Sequence, residues 1–76
     1  MEQRLICIRT NDMPASRRTK ELLMKKLEAS GFSVSEKYTD TAELLVSIGG
    51  DGSTLDAIHE YDFPEIPIVG INTGHL

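Results

Sequence analysis

Asp51 stands among the glycines of GGDGS at 49–53, and few other residues of this chain are so placed for chemistry. Gly49, Gly50 and Gly52 leave backbone N–H groups open to close approach by a ligand. A helix start just downstream would add the positive end of its dipole, so the stretch suits an anion such as phosphate. A carboxylate inside such a loop has a narrower use. With an ordinary pKa near ~4 it is ionised at neutral pH. It can then meet a phosphate through a metal, or act as base toward an alcohol that is being phosphorylated. A tight-turn Asp flanked by glycines of positive φ is the plain structural alternative. The lysine of GxxxxGK[ST] and the third glycine of GxGxxG are both missing, Leu55 standing in the latter's place.

The elements around the loop follow from pattern. Residues 44–48 form a short, mostly apolar run that reads as a strand buried on both faces. Ser53 and Asp56 match a capping box, with Leu55, Ile58 and Tyr61 as the apolar stripe of a helix reaching about residue 61. Strand, glycine turn and helix N-terminus therefore come in the order that an anion site needs.

Upstream, residues 5–8 (LICI) make a first apolar strand, and Asn11, Asp12 and Pro14 supply turn chemistry that opens a helix. From about 15 to 30 the spacing is helical, with Ala15, Leu22, Leu23 and Leu27 on one face and Glu21 paired to Lys25. Gly31 is the expected C′ residue, with Phe32 as its hydrophobic contact. Residues 32–38 alternate as an edge-like strand. Phe63, Pro64 and Pro67 end the second helix, and residues 68–71 form a last apolar strand before the turn at 72–74. This order predicts an α/β fold, a mainly parallel open sheet with flanking helices. Both turns then fall at the carboxyl ends of strands, where open α/β sheets bind ligands. Arg17 and Arg18 sit in the first turn of the first helix, against its dipole. They are either solvated or turned to a phosphate in the same crevice.

The totals set limits. A chain of 76 residues is at most one domain, able to bury only about 60–65% of its unfolded surface. The net charge of −4 points to neither nucleic acid nor an anionic membrane surface. No apolar run approaches the ~20 residues of a membrane span, and there is no signal-peptide pattern. The single cysteine, Cys7, lies in an apolar run and reads as a buried thiol in a reducing, cytoplasmic setting. His59 and His75 carry no metal-ligand spacing. A receiver or flavodoxin-like binding module is the reading from another class. A receiver, however, wants acidic residues directly after its first strand, where Arg9 and Thr10 stand.

GGDGS at 49–53 followed by GINTGHL at 70–76 resembles the N-terminal part of bacterial NAD kinases. GGDG[ST] by itself is shared with 6-phosphofructokinases and with diacylglycerol and sphingosine kinases, and the second motif favours the NAD kinases. The resemblance implies phosphoryl transfer from ATP or polyphosphate to the adenosine ribose 2′-hydroxyl of NAD, giving NADP. It implies Mg²⁺ or another divalent cation, and a homo-oligomer in the full-length form. It maps the catalytic aspartate onto Asp51 and the nucleotide loop onto Gly49, Gly50 and Gly52. The hydroxyl position falls on Ser53, and an adenosine-contacting leucine on Leu55. Ser53 stands where Thr is usual, and Asp56 near where many members carry a basic residue. Members of the family are several times longer. Residues 1–76 are thus expected to be an incomplete N-terminal α/β domain, inactive alone and without the β-rich NAD-binding domain.

Overall fold

The computed structural model describes residues 4–50, 52–62 and 64–73. Its elements are β1 (Arg4–Thr10), α1 (Pro14–Ala29), β2 (Phe32–Ser35), β3 (Leu44–Gly49), α2 (Ser53–Glu60) and β4 (Ile68–Asn72). The strands form one 4-stranded sheet in the order β2-β1-β3-β4. Every pairing is parallel, with Ile8 opposite Val46 and Ser47 opposite Gly70. The expected α/β architecture is therefore the one observed, with β2 as an edge strand.

Two apolar layers follow from the alternation of the central strands. On the α1 face, Ile6, Ile8, Val46 and Ile48 form a buried cluster covered by Leu23, Met24 and Leu27. On the other face Cys7, Leu45, Ala42 and Ala57 are buried, with Tyr38 and Tyr61 packed against them. Those two rings stack at 4.7 Å between centroids. Burial of β3 on both sides answers the apolar run of its sequence, and Ile48 is fully inaccessible. Cys7 is buried too, its Sγ 3.4 Å from the carbonyl of Lys37, as its apolar setting predicts.

The helix faces differ from expectation in an instructive way. Leu22 is 57% exposed, and the sheet is met instead by Leu23, Met24 and Leu27, with Ser16 wholly buried in the first turn. The buried stripe runs 16, 20, 23, 27, so two of its positions are polar and the apolar pattern alone points about one residue off. Lys20 stays partly covered by pairing with Glu36 at 2.8 Å. Gly31 has φ +95°, the left-handed cap expected of it.

In α2 the inward residues are Ser53 and Ala57, while Leu55 is 59% exposed. Small side chains let this helix lie close on β3 and β4. The expected capping box does not form: Gly52 is the N-cap, Ser53 is already helical, and no side chain caps the end. Instead the Ser53 side chain is turned under the helix toward Gly49. Backbone bonds close the turn, from Ser53 N–H to the Gly50 carbonyl at 3.1 Å and from Asp56 N–H to Gly52 at 2.9 Å.

Candidate functional site

The strand order places the site. The chain leaves β1 through α1 to reach β2 on one side, whereas β3 lies on the other side of β1. Connections that diverge from neighbouring strands open a crevice at their carboxyl ends, and ligands of open α/β sheets bind there. At that point the end of β3 runs into the glycine loop and the N-terminus of α2. Asn11, just past β1, donates its backbone N–H to the Ile48 carbonyl at 3.2 Å, and so ties the two strand ends together. Gly49, Gly50, Gly52 and Ser53 all belong to this edge.

The second motif comes to the same place. Thr73, directly after β4, donates its N–H to the Gly49 carbonyl at 2.9 Å. Its hydroxyl meets the Ser16 hydroxyl from α1 at 2.5 Å. Two stretches far apart in sequence thus share one hydrogen-bonded edge. A small cleft of about 180 Å³ lies between them, lined by Gly50, Thr54, Gly70, Ile71 and Asn72. Asp51 itself, with Phe63, Gly74, His75 and Leu76, lies outside the described residues.

Two glycines make the close approach of α2 possible. A Cβ at Gly49 would run into the Ser53 side chain and sit 3.0 Å from the Asn11 amide nitrogen. One at Gly70 would run into the Thr54 hydroxyl. Gly70→Ala is accordingly expected to destabilise the chain by about 1–3 kcal/mol through overpacking. Most of this should be recovered when Thr54→Ala is added, which urea unfolding of the single and double variants will check.

Charge around the edge is arranged as braces. Arg9 on β1 reaches over α2, donating from Nη2 to Glu60 at 2.9 Å and from Nη1 to the Ser53 carbonyl at 3.4 Å. Arg17 faces Asp12 at 3.5 Å, both well exposed, a pairing that is worth little in water. Arg17 also lines a wider hollow of about 540 Å³ with Thr10, Lys20 and Glu36, whereas Arg18 is simply exposed.

A further hollow of about 530 Å³, lined by Tyr38, Asp40, Tyr61 and Glu65 among others, lies near the amino ends of β3 and β4. Burial, followed by nearby carboxylates, holds both tyrosine hydroxyls above the usual phenol range, so they stay neutral at pH 7. These hollows are larger than the cleft at the glycine loop, but neither is lined by residues of the two glycine-bearing motifs. Chemistry and topology favour the smaller one.

Sequence reasoning found the glycine loop and missed most of its supports. Ser16 and Thr54 carry no motif, whereas Asn11 was readable as turn chemistry ahead of α1 and does accept the Met13 N–H. The signal for Ser16 was a small polar residue on the buried stripe of an amphipathic helix. Gly70 and Thr73 were in view, as members of the second motif, but without a structural role.

Comparison with known proteins places the sequence in a family. The family model for the ATP-NAD kinase N-terminal domain matches residues 1–76. The NAD kinase of Finegoldia magna is 44% identical over 73 residues, covering 96% of this chain and 27% of that protein. The NAD kinase of Streptococcus gordonii is 36% identical over 73 residues, with 93% and 26% covered. That of Latilactobacillus sakei is 37% identical over the same length. The chain spans about a quarter of the length of these curated relatives. The family match over all 76 residues agrees with the parallel sheet and the paired loops, and this chain belongs to the ATP-NAD kinase N-terminal domain family.

Proposed function

We propose that residues 1–76 supply the phosphate-handling edge of an NAD kinase. The reaction moves the terminal phosphoryl group of ATP, or of polyphosphate, to the adenosine ribose 2′-hydroxyl of NAD. The observation that carries this reading is the joining of the two motifs: Thr73 bonds Gly49 across the carboxyl edge of the sheet. Family membership supports the same assignment.

In this reading the backbone of Gly50 and Gly52 and the α2 N-terminus receive phosphate oxygens. Asp51 takes the proton of the attacking hydroxyl. Leu55, exposed on α2, offers an apolar surface to an adenine ring. Ser53 acts through the loop, since its side chain is turned inward. Among the described residues no group of three His, Cys, Asp or Glu side chains could hold a metal ion. A divalent cation enters as part of the Mg·ATP substrate, held chiefly by the phosphates. A β-rich NAD-binding domain, in the part of the relatives this chain does not span, completes the site, and the whole protein works as a cytoplasmic homo-oligomer. No described helix is long and apolar enough to cross a membrane.

The test is a chimera in which residues 1–76 replace the matching segment of the Finegoldia magna NAD kinase. The chimera is expected to form NADP from NAD and Mg·ATP within about tenfold of the parent rate. A chimera that folds and binds NAD but forms no NADP would overturn the reading.

A further inference from the structure

We propose that Ser16 is a positioning residue, which fixes the second motif's turn against the glycine loop. The proposal rests on the functional reading above and adds a residue that neither motif contains.

Ser16 is completely buried in the first turn of α1. A buried hydroxyl is costly unless it is hydrogen-bonded, and Ser16 stands so near the start of α1 at Pro14 that its own helix offers no carbonyl one turn back. Ser16 instead meets the Thr73 hydroxyl, 57 positions away in sequence, at 2.5 Å. That distance is at the short end for paired hydroxyls. Thr73 then passes the connection on, through its N–H, to the carbonyl of Gly49.

Three elements are joined by this relay: the start of α1, the exit of β4 and the end of β3. Gly49 is the last residue of β3 before the loop that carries Asp51. The β3–β4 ladder, which pairs Gly49 with Asn72, aligns the two strand ends, and the serine hydroxyl ties the turn that follows to α1. Asn11 supports the same corner, its Oδ1 accepting the Met13 N–H at 3.2 Å just ahead of α1. Alanine in place of Ser16 would keep the helix and its packing volume nearly intact while cutting the relay.

Hydrogen exchange on the 76-residue chain provides the direct test. Ser16→Ala should speed exchange of the Thr73 amide about tenfold, the loss of one hydrogen bond, while the Ile8 and Val46 amides keep the parent rate. Thr73→Val should do the same, the double variant should add nothing further, and Thr73→Ser should behave as the parent. In the chimera, Ser16→Ala and Thr73→Val should each lower kcat/KM about tenfold, and Thr73→Ser should keep the parent value. Unchanged exchange at Thr73 would overturn the proposal. So would equal acceleration of every sheet amide, which would make Ser16 a stability residue only. Local acceleration with unchanged kcat/KM would remove its role in positioning. An unsubstituted chimera without activity is the separate failure of the functional reading, visible before any Ser16 variant is made.

Discussion

Asp51→Asn in the chimera is expected to lower kcat by about 10²–10⁴, the usual contribution of a general base, with NAD affinity nearly unchanged. Asn keeps the shape of the side chain and still accepts one hydrogen bond, but it has no useful basicity. Near phosphates a neutral side chain also relieves repulsion in the ground state, so binding has no reason to weaken. An Asp that only forms the turn makes the opposite forecast, because Asn is an equally good turn residue. Measuring kcat and NAD dissociation on the same variant separates the two. A kcat within about threefold of the parent would leave Asp51 as a turn residue and remove its assignment as base.

Gly49→Ala is expected to damage both fold and site. The added methyl group would meet the Ser53 side chain and crowd Asn11. Neither neighbour yields easily, since the Ser53 side chain is buried beneath its own helix and the Asn11 amide is held by the Met13 N–H at its Oδ1. The helix start must move away, at a cost of about 2–3 kcal/mol for overpacking. That movement displaces the N–H groups that would face phosphate. A misplacement on the order of 1 Å lowers kcat/KM by about 10²-fold. Urea unfolding of the 76-residue chain measures the first effect, and NADP formation by the chimera the second. Rescue of stability by Ser53→Gly, without rescue of rate, would show that the two effects are separable. Parent-like values for both would contradict the close approach of α2.

Much of this was legible in the sequence because the central strands are strongly patterned. The apolar runs at 5–8, 44–48 and 68–71 give the strands, and the helices between them oblige the sheet to be parallel. The left-handed cap at Gly31 was readable because only glycine takes φ +95° without strain. The helix faces were less legible. On α1 the buried stripe includes Ser16 and Lys20, which a search for apolar spacing discards, and Leu22 is drawn in wrongly beside Leu23. On α2 the helix turns small residues to the sheet and its one leucine outward, the reverse of an ordinary amphipathic pattern. Ser53 looked like a cap because its type and spacing suit one. The glycine beneath it draws its side chain elsewhere. At Ser16 and Ser53 the pattern failed where a small polar side chain packs beneath the carboxyl edge of the sheet.

On the proposed function, a phosphate-bearing ligand meets this chain at the carboxyl edge, between the glycine loop and the turn after β4. Amide chemical shifts of the 76-residue chain, followed while Mg·ATP is added, locate that contact. Shifts are expected at Gly50, Gly52, Thr54 and Thr73, saturating together, with Tyr38 and Tyr61 at the opposite edge unmoved. Shifts confined to the tyrosine edge, or none at millimolar ATP, would contradict it.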